Sequence, residues 1–132
     1  MKKIYYIISV LFLLCFTPLQ AQKTYLKNYY DNGKISSEGW INLNKKTDYW
    51  FFYHKNGNKK EEGHYFNDKK TKWWIVYDVN GKIQRKIEFN NNLENGLSIF
   101  YNDGKIYKAA RYNAGLKIKE WTSIASYKKD NP

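Results

Sequence analysis

The chain has little of what most enzymes use. Its 132 residues include one cysteine, two histidines and two prolines. A single cysteine excludes an intramolecular disulfide and any cysteine-rich zinc site. Two histidines leave little for a histidine-based metal centre. No nucleophile elbow, phosphate loop, zinc spacing or calcium loop occurs. Acids are scarce too: 12 Asp and Glu stand against 23 Lys and Arg, a net charge of +11. The prolines are Pro18 and Pro132, so nothing between them interrupts a strand. Aliphatic residues are also few, and aromatics, at 19% of the chain, must provide most of the burial. This length predicts one domain. The balance argues for a non-enzymatic protein with no cofactor and no metal.

The first residues read as an address. Lys2 and Lys3 precede an apolar stretch from Ile4 to Phe16, followed by Thr17-Pro18-Leu19-Gln20-Ala21. A basic start, a short apolar run and a small final residue describe a secretory signal peptide over residues 1–21, with cleavage after Ala21. The run is shorter than the ~20 apolar residues of a membrane span. An uncleaved anchor is one alternative. A lipoprotein acylated at Cys15 is another, disfavoured because Leu14 stands where a small residue is preferred. Cleavage leaves 111 residues with no thiol and 21 basic against 12 acidic groups, or +9. A thiol-free chain suits an oxidising compartment, so an exported protein is expected: periplasmic, outer-envelope or secreted.

The rest of the chain repeats. Asn32-Gly33, Asn56-Gly57, Asn80-Gly81 and Asp103-Gly104 place glycines 24, 24 and 23 residues apart. Tyr30, Tyr53, Tyr77 and Tyr101 precede them. A second polar cluster lies midway each time: Asn44-Lys45-Lys46, Asp68-Lys69-Lys70, Asn91-Asn92 and Ala114-Gly115. Asx-Gly between alternating apolar residues signals a hairpin, because both turn positions require positive φ. Each repeat therefore reads as two strands. Thr24–Tyr30 reads as half a repeat. The expectation is nine strands in an open antiparallel meander of β-hairpins over residues 22–127, with a frayed tail at 128–132.

Folding each hairpin about its polar cluster pairs Gly39 with Trp50, Gly63 with Trp74, Ile87 with Ser98, and Ala110 with Trp121. Every Trp in this column faces a small residue. Where Trp becomes Ser98, the opposite glycine becomes Ile87, the exchange that a packed cross-strand pair requires. The next position pairs Trp40 with Tyr49 and Arg111 with Glu120. One face thereby collects Gly39, Trp50, Phe52, Gly63, Tyr65, Trp74, Ile87 and Phe100. The other mixes Glu38, Glu62 and Lys86 with Phe51, Ile75, Ile99 and the repeating tyrosines. The second strand of each repeat is apolar on both sides, as in Tyr49–Tyr53 and Trp73–Tyr77. That pattern predicts cover on both faces, and so a coiled sheet that wraps over part of its outer face. The fourth repeat decays after Trp121 and reads as a cap whose strand runs to Tyr127.

The pattern Tyr53…Asn56-Gly57, Gly63-His64-Tyr65, Lys69-Lys70 and Trp74…Tyr77 resembles the MORN-repeat variant found in the YwqK-type antitoxin family. Asn32-Gly33-Lys34, Gly39, Lys45-Lys46 and Trp50…Tyr53 carry the same resemblance in the first repeat. It extends over nearly all of residues 24–121. It implies a single-layer stack of hairpins, a role in binding other proteins and, through the antitoxin label, a toxin partner. MORN repeats in general also imply lipid association or scaffolding.

Trp40, Tyr49 and Trp73 are the candidate site, an aromatic platform on the less apolar face for a protein partner or a sugar. The lysine excess attracts anions, which keeps anionic lipid or glycan as an alternative partner. Specific nucleic-acid reading favours Arg, and only Arg85 and Arg111 are present. His54 and His64 share no obvious face. Glu61 and Glu62 are adjacent, so on a strand they point to opposite faces and form no carboxylate dyad.

Overall fold

Nine antiparallel strands follow one another in chain order, each hydrogen-bonded to the next. The computed structural model describes residues 22–132, and the signal-peptide reading lies outside them. The strands are β1 (Thr24–Tyr29), β2 (Ile35–Asn42), β3 (Lys45–Tyr53), β4 (Lys59–Phe66), β5 (Lys69–Tyr77), β6 (Ile83–Asn90), β7 (Leu93–Asn102), β8 (Lys105–Asn113) and β9 (Leu116–Trp121). A short helix, α1 (Ile124–Asp130), follows β9. The expected open meander of hairpins is thus the observed fold. The expected wrapping is not seen: each strand makes its main contacts with its sequence neighbours, and α1 packs on β8 and β9. Trp73 accordingly remains 41% exposed on a strand read as covered on both sides.

The two rows of turns use different chemistry. Within repeats, Leu43-Asn44, Asn67-Asp68, Asn91-Asn92 and Ala114-Gly115 have positive φ at both positions. This is the two-residue turn whose twist matches that of the flanking strands. Between repeats the Asx-Gly turns depart from expectation. At Gly33, Gly57 and Gly81 the glycine alone takes positive φ. Each closes a three-residue loop, as where Gly33 N donates to Tyr30 O and Tyr30 N to Lys34 O. Only Asp103-Gly104 is a two-residue turn with both φ positive, between Asn102 and Lys105. The missing loop residue accounts for the final spacing of 23. The same geometry corrects the tyrosine column. Tyr29 pairs with Ile35 as Tyr53 pairs with Lys59 and Tyr77 with Ile83. Tyr30 instead begins the loop, as His54 and Asp78 do.

In each of the first two repeats the hairpin carries a bulge directly after its glycine. Gly39 pairs with Trp50, but Trp40 pairs with Thr47, leaving Asp48 and Tyr49 without partners on β2. Gly63 pairs with Trp74 and His64 with Thr71, bulging Lys72 and Trp73. Asp48 and Lys72 take positive φ there, and Gly96 does so in the third repeat. The predicted Trp40–Tyr49 pair is therefore absent, because the bulge consumes two residues before that position. It also frees carbonyls that the indoles then take up. Trp50 Nε1 donates to Trp40 O at 2.9 Å, and Trp74 Nε1 to His64 O at 3.1 Å.

The core is a row on one face: Gly39, Trp50, Gly63, Trp74, Ile87, Ser98 and Ala110, paired strand to strand. Trp50 and Trp74 are completely buried. Their rings lie on the opposite glycines, where a Cβ has no room. Phe52 and Tyr65 pack beside both indoles. Lysines close the layer from above: Lys46 Nζ lies 5.3 Å from the Trp50 ring centroid and Lys70 Nζ 4.0 Å from that of Trp74. These ammonium groups cover the indole faces, and Lys70 is held in place by Glu61 at 2.9 Å, which closes the rings off in a one-layer sheet. In the third repeat Ser98 replaces Trp. Arg85 fills the place, bonding Ser98 Oγ and Glu94 and lying over Phe100.

The fourth repeat slips by one residue. Ala109, not Ala110, pairs with Trp121, and Arg111 pairs with Lys119 rather than Glu120. Its single irregularity, between Arg111 and Tyr112, absorbs one residue instead of two. A one-residue slip moves a side chain to the other face, so Trp121 leaves the Trp50–Trp74 row. The strand expected to continue to Tyr127 turns into α1. Ser123 caps it, accepting from Ser126 N, and Lys128 and Lys129 lie in its last turn. Of the tail read as frayed, Lys128–Asp130 belong to this helix and Asn131 caps it. Trp121 packs on Tyr127, with ring centroids 5.1 Å apart, and donates to Asp130 at 2.8 Å.

Candidate aromatic face and its carboxylate ladder

Opposite the closed core lies a second row: Glu38, Phe51, Glu62, Ile75, Lys86 and Ile99, paired across β2 to β7. Side chains alternate along a strand, so Trp40, Tyr49 and Trp73 project from this same face. The structure thus places the three predicted site residues together on one face, but not in one cluster. Trp40 packs edge-on against Tyr25, with centroids 5.1 Å apart. Tyr49 packs against Phe51 at 5.0 Å and edge-on against His64 at 4.8 Å. Trp73 lines a shallow depression of about 330 Å³ with Ile75, Lys86, Ile99 and Tyr101. Tyr25, Trp40 and Trp73 are each about 40% exposed, while Tyr49 is half-buried.

A ladder of tyrosine–carboxylate pairs runs beneath these rings, and sequence reasoning missed it. Tyr53 Oη donates to Glu38 at 2.6 Å, and Lys27 stands 3.6 Å from the same carboxylate. One repeat on, Tyr77 Oη donates to Glu62, which also pairs with Lys59 at 2.8 Å. The Tyr53 bond holds the Glu38 carboxyl below its ordinary value, against the opposing effect of burial. Burial first, and then these carboxylates, push the Tyr53 and Tyr77 phenols far above the ordinary tyrosine value. The signal in the sequence was the 24-residue recurrence of Glu with Tyr 15 residues later.

Glu61 and Glu62 do face opposite ways: Glu61 reaches Lys70 on the core side, Glu62 reaches Tyr77 on the other. His64 is pushed below its ordinary value by burial and by Lys72, so it is neutral near pH 7. His54 lies in the turn row, its Nε2 3.4 Å from Tyr77 O. Among the described residues no group of three or more His, Cys, Asp or Glu is placed to hold a metal. Large apolar residues also rim the within-repeat turns: Leu43, Phe66, Leu93 and Leu116 are all at least 49% exposed. No protein-family model matches this chain, and no curated protein matches it.

Proposed function

We propose that the protein is an exported, non-enzymatic binding module that engages another protein across the Tyr25–Trp40–Trp73 face. One contrast carries this reading. The chain closes Trp50 and Trp74 completely on one face, yet leaves Trp40 and Trp73 about 40% exposed on the other. Exposed tryptophan and tyrosine on a rigid sheet are the residue types that dominate protein interfaces. The sheet holds them on strands, so little ordering entropy is lost on docking.

The antitoxin or immunity role implied by the repeat resemblance is one form of this reading, with a toxin as the partner. Attraction of lysines to anionic lipid or glycan is less well supported. Lys46, Lys70 and Lys108 lie over aromatic rings, and several others pair with acids of the same sheet.

The test is comparative capture from the native envelope fraction. A partner retained by the wild-type protein and by a Lys46→Ser control, but lost from a Trp40→Ser/Trp73→Ser double variant, supports the reading. Retention by all three removes it. Binding to anionic vesicles that survives the tryptophan changes and vanishes with salt favours the lipid alternative.

A further inference from the structure

We propose that the depression around Lys86 is a socket for an acidic side chain of the partner protein, seated between the Lys86 ammonium and the Tyr101 hydroxyl. This rests on the docking reading above and names the chemistry that one part of the face recognises.

The inference comes from comparing two repeats position by position. In the second repeat, Tyr49, Phe51, Glu62, Ile75 and Tyr77 form a filled site. The Glu62 carboxylate accepts from Tyr77 Oη and pairs with Lys59. His64 closes the remaining space against Tyr49. Moving 24 residues along gives Trp73, Ile75, Lys86, Ile99 and Tyr101, the residues that line the open depression. Three substitutions empty it. Glu62 becomes Lys86, so the carboxylate is gone. Lys59 becomes Ile83, so the cation has moved from the neighbouring position into the site itself. His64 becomes Glu88, whose carboxylate turns away to accept from Leu97 N, over Gly96 where no Cβ stands in its path.

What remains is a tyrosine hydroxyl and an ammonium without their anion. Among the described residues Lys86 has no ion-pair partner and Tyr101 no hydrogen-bond acceptor, and Lys86 Nζ lies 5.8 Å from the Tyr101 ring centroid. The surrounding walls are Trp73, Ile75 and Ile99, which favour an apolar group beside the charge. The occupant that restores the pattern of the second repeat is a carboxylate on an apolar stem: Asp or Glu next to a hydrophobic residue. The net charge of +9 left after cleavage draws an acidic partner to this surface.

The probe is 3-phenylpropionate, with 3-phenylpropionamide as its uncharged match, titrated into isotope-labelled protein and followed by NMR. The carboxylate is expected to move the Trp73 indole and Ile99 amide signals saturably. The amide should bind about tenfold more weakly or worse, since an ion-assisted hydrogen bond is lost. Lys86→Gln and Lys86→Glu should weaken the carboxylate similarly, the latter by supplying its own anion to Tyr101. Equal binding of acid and amide overturns the proposal. So do shifts that survive Lys86→Gln or that map to other lysines. Carboxylate binding here, in a protein whose tryptophan face captures no partner, leaves the socket and removes the docking reading. Partner capture that Lys86→Gln does not weaken, without probe binding, does the reverse.

Discussion

The Trp74 ring lies flat against the Cα of Gly63, leaving no room for even a methyl group between them. Trp50 lies on Gly39 in the same way. A sheet with one layer has no opposing layer to bury an indole, so it buries the ring against its own backbone. Gly63→Ala should therefore destabilise the protein by about 1–3 kcal/mol, the usual cost of overpacking. Trp74→Ala should cost about 3–5 kcal/mol. In the Trp74→Ala background the Gly63→Ala change should cost almost nothing, a coupling that urea denaturation of all four proteins reads directly.

Leu43 occupies the first position of a turn with φ of 48°, and is 76% exposed. A bulky residue is strained there, and its side chain buries almost nothing in return. Leu43→Asn should stabilise the protein by about 1 kcal/mol, since Asn visits the left-handed region readily. Thermal midpoints of the two proteins check this. Asn67 and Asn91 already hold the equivalent place in the next two repeats, at φ of 48° and 54°.

Glu38 of the ladder and three half-buried tyrosines give stability an expected dependence on pH. Glu38 titrates lower in the folded protein than in the unfolded chain, chiefly because of Tyr53. Its contribution is present above the ordinary carboxylate value of 4.5 and is lost as pH falls through the lower, folded value. Tyr53→Phe should flatten that acid limb in denaturation series at several pH values. Tyr53, Tyr65 and Tyr77 titrate higher in the folded protein than the ordinary 10.0, Tyr65 at about 12. Their contribution is complete below pH 10 and declines as pH rises toward the folded values, so alkaline unfolding should coincide with phenolate absorbance appearing.

Helix α1 shields the one tryptophan that changed faces. Trp121 is buried through Tyr127 and Asp130, which also meets Lys119 at 3.1 Å. Truncation after Ser123 should expose Trp121 to a neutral fluorescence quencher while leaving Trp50 and Trp74 protected. An unchanged quenching profile would show that β8 alone covers the ring.

Much of this architecture was legible in the sequence, because the repeat compares each position with itself. Strand number, strand order and the Gly39–Trp50, Gly63–Trp74 and Ile87–Ser98 pairs all followed from spacing and from one compensating exchange. The bulges at Asp48 and Lys72 did not follow, since Lys does not announce positive φ and Asp48 has no glycine beside it to mark a turn. The fourth pair failed for the same reason. Ala110 and Trp121 keep the 11-residue separation of the other pairs, but a smaller bulge shifts the register. Helix α1 was missed because the repeat was extended through it, past the capping Ser123. For the site, the face of Trp40, Tyr49 and Trp73 was legible from alternation. Their separation into patches was not, since it depends on which neighbours fill the gaps. The emptiness around Lys86 required knowing that Glu88 turns toward Leu97.

The most direct measurement is site-specific photocrosslinking in the source cells. A photoreactive phenylalanine analogue is placed singly at Trp40, at Trp73 and, as the opposite-face control, at Phe100. Docking on the exposed aromatic face predicts one discrete protein adduct from positions 40 and 73 and none from position 100. No adduct from either tryptophan position, or the same adducts from both faces, would contradict it.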